Sequence, residues 1–448
     1  MYRKMICFNQ RGPNRPKRQQ DSGWSYLVCA CAFVCQAGNM GLILSFGVLF
    51  PVIMERFHSK RQDIAWISSL AYFLLLFSSP VAGRLSEKFS CRFVTMLGVL
   101  SSTVGLVLAS FAKSAFVYYL TYSLFVGFGI CCVRVSNFLI VSKYFCKRKP
   151  FATGILTSAA GMGLFVFAPL TESLLDRFGL EKTLRFLAGT VFVTGIPALA
   201  YDPNVQENES NNATIQLQQE KFNERTQTKL VDCSVWRVPT FTVFALTFAL
   251  DRFGQSPTRT HLVKYAEEQG LPADSSSRLL MYFGLASCIA RLVAGCVCDL
   301  TRVNPRYIFQ VGSLITAVSV ILLPLANSQT RFILCSVSFG VGNGITLTSM
   351  NVVLLNCVEA KRRASAFGLA NSLSSFSVLS SPPLIGFIAD EFHSYKPAFY
   401  LVGSVLLAST ALPFVIFCVK VNRRDEREPQ TLIMPMENHS QIQYVSSC

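Results

Sequence analysis

Apolar runs of about twenty residues recur along this chain, and a run of that length demands either a bilayer or a very large core. Twelve are expected, at about 24–50, 64–84, 93–111, 115–142, 152–173, 183–201, 238–257, 278–298, 307–327, 331–357, 364–388 and 397–419. Hydrocarbon offers no partner to a backbone N–H or C=O, so each run is expected to close its hydrogen bonds internally as an α-helix. The fold class that follows is an all-α polytopic membrane protein with twelve transmembrane helices.

Composition agrees: 51% of the 448 residues are hydrophobic and only 15% are charged, against about 25% charged in soluble domains. The net charge of +16 could suggest nucleic acid, but that needs a basic face on a soluble domain. Here lysine and arginine gather in the tails and short loops, so no nucleic-acid partner is expected. Their bias places both termini in the cytoplasm. Residues 1–23 are basic and lack the apolar core of a cleaved leader, so they read as a tail. Residues 202–237, rich in Asn, Gln, Glu and Thr, read as a cytoplasmic linker between bundles at 24–201 and 238–419, with a second tail at 420–448. The 16 cysteines lie mostly inside apolar runs, where they act as small hydrophobes, so no metal site is expected. No Gly-x-Ser-x-Gly, Walker loop or His-Glu-x-x-His is present, so no enzyme is expected. The four histidines are expected in loops, segment ends or a tail.

An internal repeat fixes the architecture further. Val81-Ala82-Gly83 with Glu87 recurs as Val293-Ala294-Gly295 with Asp299, 212 residues on. Gly127 and Gly129 recur as Gly340 and Gly342. Lys147, Arg148, Ala152 and Gly154 recur as Lys361, Arg362, Ala366 and Gly368, and Pro169 and Asp176 as Pro383 and Asp390. A near-constant offset across these four matches, six segments apart, means two parallel six-helix repeats, the arrangement of the halves of major facilitator transporters.

Charge inside the apolar runs points to a wet cavity. Arg291 lies 13 residues into the eighth segment, roughly 20 Å along its axis. Arg134 lies in the fourth segment and Asp251 and Arg252 in the seventh. Gln36 and Asn39 lie in the first, and Asn343, Thr346 and Asn351 in the tenth. Three arginines against one carboxylate suit an anionic substrate. The planar fork of Arg291 is the best carboxylate contact. Asp251 could neutralise Arg134, Arg291 or Arg252, bind the amino group of a zwitterion, or accept a coupling proton.

Three stretches carry a resemblance. Asp21-Ser22-Gly23-Trp24-Ser25-Tyr26 opens the first helix, and Tyr144-Phe145-Cys146-Lys147-Arg148 with Phe151-Ala152-Thr153-Gly154 enters the fifth. His261-Leu262-Val263-Lys264-Tyr265-Ala266 precedes Arg291-Leu292 and Gly295-x-x-x-Asp299. Together they resemble the monocarboxylate transporter-like proteins (solute carrier family 16) of the major facilitator superfamily. Gly83-Arg84-Leu85-Ser86-Glu87-Lys88 with Arg92 is similar to that superfamily's loop between helices two and three, with Ser90 and Cys91 departing from its usual glycine and basic residue.

The resemblance implies a plasma-membrane secondary transporter that carries small organic anions, monocarboxylates or amino-acid-like carboxylates, by alternating access through a lipid-embedded bundle. Proton coupling and a single-span accessory subunit are compatible with it, and no cofactor is implied. The eighth-helix arginine, Arg291 here, is the family's carboxylate anchor. The family's carboxylate one turn earlier is Ser287 here, and its first-helix lysine is Leu44. Both departures point away from proton-coupled lactate carriage. Gly83, Glu87, Lys88, Arg92, Gly295 and Asp299 are expected to form a conformational latch. A solute sensor or scaffold without net flux is the competing reading.

Overall fold

The computed structural model describes residues 18–19, 21–145, 149–201, 205–206, 233–298, 303–358 and 363–414. Twelve helical spans run through them. The first, α1, is Gly23–Phe57, interrupted at Ser45. The second, α2, is Arg61–Phe77 with Ser79–Phe89, bent by 47° at Ser78. Then come α3 (Cys91–Ser110) and α4 (Ala115–Tyr144). The helix Lys149–Gly195 turns at Gly179, whose φ of 71° suits a residue without Cβ, and so divides into α5 (149–178) and α6 (180–200). The second half comprises α7 (Pro239–Glu268), α8 (Ala273–Cys298), α9 (Pro305–Leu325), α10 (Gln329–Asn356), α11 (Arg363–Glu391) and α12 (Lys396–Ala411).

Most of these spans pass a simple test of length and hydropathy, and two do not. In the described residues α12 has 16 residues. The other, α7, is long enough but carries Asp251, Arg252, Arg259, Lys264, Glu267 and Glu268. The segment expected at 238–257 is therefore extended: the helix continues for three more turns. His261, expected outside the spans, lies inside α7 and is fully buried. Its Nε2 sits 2.9 Å from the Pro382 carbonyl, and its Nδ1 3.2 Å from the Tyr395 hydroxyl. A carbonyl only accepts, so Nε2 carries the proton and Nδ1 accepts from Tyr395. This polar residue thus ties α7 to α11 and α12.

Large apolar side chains on the outer surface, such as Phe111, Phe116 and Leu334, are more than half exposed, as a lipid-facing surface requires. Inside, helices meet on small residues. A Cβ on Gly161 of α5 would lie 2.7 Å from the Gly284 carbonyl oxygen of α8, and one on Gly284 would lie 2.8 Å from the Gly161 oxygen. Only glycine permits that approach between the two halves.

The two stretches that open α1 and α5 in the sequence meet in space. The Asp21 N–H donates to the Tyr144 carbonyl at 3.0 Å, and the Tyr26 and Phe145 rings pack edge to face at 5.3 Å. Trp24 is half-buried against the same apolar cluster. Lys147 and Arg148 lie outside the described residues, and Gly154 has nothing within 4 Å of its Cβ position. Next to this end, Arg18–Gln19 pairs in parallel with Val205–Gln206. Ser90, at the turn from α2 to α3, holds a φ of 111°, the left-handed region that explains why glycine is usual there.

At the end of the bundle far from the termini, ion pairs bind the halves together. Arg61 at the start of α2 reaches Glu268 of α7 at 2.6 Å and Asp390 of α11 at 2.9 Å. The second Asp390 oxygen accepts the Gln62 N–H at 3.2 Å, and the Arg61 guanidinium lies 5.2 Å from the Tyr395 ring. Deeper in, Phe73 and Phe77 of α2 pack on Phe376 of α11. The structure is therefore closed at this distal end. These partly exposed pairs should contribute roughly 1 kcal/mol together to closure. The double variant Glu268→Gln, Asp390→Asn should raise distal accessibility about fivefold. The check is the labelling rate of a cysteine introduced at Ser68 by an impermeant thiol reagent added at that end; an unchanged rate would contradict the clamp.

Candidate functional site: an arginine cluster between the halves

The site starts with Arg291, on the inner face of α8 and 8% exposed. All three of its side-chain nitrogens donate to protein acceptors. Nε reaches the Ser287 hydroxyl at 3.2 Å, Nη2 the Asn343 Oδ1 at 3.3 Å, and Nη1 the Thr157 carbonyl at 2.7 Å. Ser287 and Asn343 belong to its own half, whereas Thr157 lies on α5 of the other. Neutral acceptors thus hold the guanidinium across the seam between halves. Ser287, one turn before Arg291, donates to Asn343 Oδ1 at 3.0 Å.

From Asn343 the chain of bonds runs on. Its amide donates to Gln255 Oε1 of α7, and Gln255 Nε2 donates to Asp251 Oδ2 at 2.7 Å and Thr346 Oγ1 at 3.1 Å. The polarity of this chain is set by its ends. Arginine only donates, so Asn343 must turn its oxygen to Arg291 and its nitrogen to Gln255. Gln255 must then turn its nitrogen to Asp251, which accepts as a carboxylate does. Asp251 is 1% exposed, and its Oδ1 has no partner among the described residues. A carboxylate on a different helix, α7, is thus linked to Arg291 through two amides.

Three further guanidiniums surround this chain. Arg252, beside Asp251, lies 4.8 Å from the Phe248 ring, and its Nε has no hydrogen-bond partner. Arg134 of α4 is half-buried. Arg259, which hydropathy places in a loop, is on α7 with its guanidinium 5.7 Å from the Tyr72 ring. The sequence signal for Arg259 was available: it lies seven residues after Arg252, two turns along the same helix face.

Of the other residues expected at the site, Asn343, Asp251 and Arg291 are joined in one network. Gln36 and Asn39 are not brought to it. Gln36 accepts from Asn137 of α4 at 3.3 Å, and Asn137 in turn accepts from the Tyr201 hydroxyl at 2.7 Å. Asn39 donates back to the Cys35 carbonyl at 3.1 Å. The Gln36–Asn137 pair joins α1 to α4 within one bundle, whereas among the described residues Asn39 bonds only within its own helix. Leu44, at the position of the family's lysine, lines a small cavity beside Arg259.

The expected latch lies at the terminal end. Ser86 of α2 pairs with Ser136 of α4 at 2.9 Å, and Lys88 lies 5.3 Å from the Phe89 ring. Gly83 approaches Val135, and Arg92 Nε is buried without a hydrogen-bond partner. Gly295 has nothing within 4 Å of its Cβ position. The Glu87 side chain and Asp299 lie outside the described residues.

This geometry can be set beside known proteins. The chain matches the Major Facilitator Superfamily model over residues 28–299 and 243–437. It is 27% identical to Monocarboxylate transporter 4 of Rattus norvegicus, over 91% of this chain and 86% of the relative. With Monocarboxylate transporter 2 of Homo sapiens the identity is 27%, over 87% and 84%. With human Monocarboxylate transporter 10 it is 26%, over 93% and 82%. Among solved structures, a POT family transporter in complex with 5-aminolevulinic acid superposes with a TM-score of 0.67 at 13% identity, covering 88% of this chain and 96% of that one. At that identity the likeness shows the fold alone. Taken with twelve helices in two parallel repeats, these matches place the chain in the Major Facilitator Superfamily, as a transporter-type, multi-pass membrane protein similar to the monocarboxylate transporters.

Proposed function

We propose that this protein is a secondary transporter of small organic anions, monocarboxylates or amino-acid-like carboxylates, working by alternating access in the plasma membrane with both termini cytoplasmic. The observation that carries this reading is the position of Arg291. It is a buried cation between the halves whose protein partners are all neutral, so its charge is left for a ligand to neutralise. A carboxylate that replaced the Thr157 carbonyl on Nη1 would exchange a bond across the seam for a bond to solute. Binding would then bias the packing of α5 on α8, which is what alternating access needs. With the distal clamp of Arg61 closed, this conformation is shut on the side away from the termini, which is the outer side in this reading.

Asp251 completes the reading as the group that takes a coupling proton. One of its oxygens is unpartnered while the other is fixed by Gln255, and the Gln255–Asn343 chain leads from it to Arg291. The resemblance also makes room for a single-span accessory subunit, and the loops around Glu87 and Asp299 for a latch that remakes as the halves rock.

Two measurements test this. Arg291→Ala should lower uptake of labelled monocarboxylate at least ~30-fold at unchanged surface expression, and Arg291→Lys should recover only part of it, since a lysine lacks the fork. Full uptake by Arg291→Ala would sink the assignment. Asp251→Asn should abolish stimulation by an inward proton gradient while leaving solute exchange measurable. A gradient response as large as in the parent chain would remove Asp251 from the coupling role.

A further inference from the structure

Arg259 lines a cavity and, like Arg134 and Arg252, makes neither a hydrogen bond nor an ion pair to any described residue. It is 6% exposed, and a guanidinium so buried is strongly disfavoured unless something pairs with it. It lies against a cavity of about 20 Å³ where α1, α2 and α7 meet, lined also by Leu44, Phe46, Ser68, Tyr72 and Thr260. That volume holds about one water, so it fits a single polar head group rather than a whole solute. The cavity hydroxyls of Ser68 and Thr260 donate to their own helix backbones, at Ala65 and Ser256. Their protons are committed to the backbone, so they do not compete for an acceptor. The Tyr72 hydroxyl makes no hydrogen bond to a described residue and is the available second donor.

Charge count gives the class of ligand. Arg134, Arg252, Arg259 and Arg291 are four cations on the spans of the cluster, and Asp251, beside Arg252 on α7, is the carboxylate joined to it. A monocarboxylate on Arg291 would still leave an excess of positive charge in a low-dielectric cavity. We propose that Arg259 and Tyr72 form a second acidic-group subsite, so that among the small organic anions bound at Arg291 the protein favours those with a second carboxylate, which Arg259 takes. This rests on the reading of Arg291 as a carboxylate anchor. It adds a specificity residue on α7 that selects for a second acidic group.

The test is binding by the full-length chain in detergent, read as thermal stabilisation. The probes are monocarboxylates and α,ω-dicarboxylates of matched carbon number, with chloride titrated in. The parent chain should bind a dicarboxylate of fitting length at least about tenfold more tightly than its monocarboxylate partner. Arg259→Gln should lose that preference, weakening the dicarboxylate at least about tenfold more than the monocarboxylate, and Arg291→Ala should weaken both. If Arg259→Gln does not fold, Tyr72→Phe and Arg259→Lys serve instead, each expected to reduce the preference about threefold. No preference at any length, a preference that survives these substitutions, or an Arg259-dependent effect of chloride alone would overturn the subsite. Undiminished monocarboxylate binding by Arg291→Ala would instead overturn the underlying anchor.

Discussion

Three buried arginines, Arg252, Arg259 and Arg291, together with the half-buried Arg134, set the terms for the rest of this molecule. Each charge taken from water is costly, and apolar helices cannot repay it. The fold meets the demand in three ways. It places one carboxylate, Asp251, on the same helix as two of the arginines. It extends that carboxylate's reach through Gln255 and Asn343 to Arg291. It leaves the guanidinium of Arg259 lining a cavity. A cluster satisfied in this partial way is poised to gain from an anion, which is the property a carrier of organic anions requires.

The two halves repeat in sequence, but their chemistry is unequal. Asp390 at the end of α11 finds Arg61 across the seam, and that pair with Glu268 shuts the distal end. The equivalent residue of the first half, Asp176 at the end of α5, forms no ion pair among the described residues. At the head of α8, Asp274 pairs within its own helix with Arg278. One seam is therefore clasped by opposite charges. The other relies on the glycine approach of Gly161 to Gly284 and on the Arg291–Thr157 bond. On the proposed reading, an asymmetry of this kind would let solute at Arg291 act on one seam while the ion pairs hold the other.

Much of this was legible in the chain itself. Hydropathy gave most of the spans, because lipid tolerates few charges, and the 212–214 residue repeat gave two parallel halves. Arg291 stood out as a charge deep in an apolar run. The seventh helix was cut short for the same reason that it matters. Arg259, Lys264, Glu267 and Glu268 lower its hydropathy, so its last three turns read as loop, and Arg259 and His261 went with them. A helical-period reading, Arg252 to Arg259, would have kept the first of these. Other features needed three dimensions: the meeting of Asp21 with Tyr144, and the use of Gln36 between α1 and α4, depend on which helices are neighbours. Ser287 looked like a lost partner, and its hydroxyl is bonded to both Arg291 and Asn343.

The central claim is that solute binding at the arginine cluster switches the bundle between two accessible faces. Counterflow in proteoliposomes of the purified chain tests it most directly. Vesicles loaded with unlabelled organic anion and given trace labelled anion outside should accumulate label transiently above equilibrium, because each loaded return step carries the binding site back across. Binding of the anion with no counterflow would contradict the account and leave a sensor in the shape of a carrier.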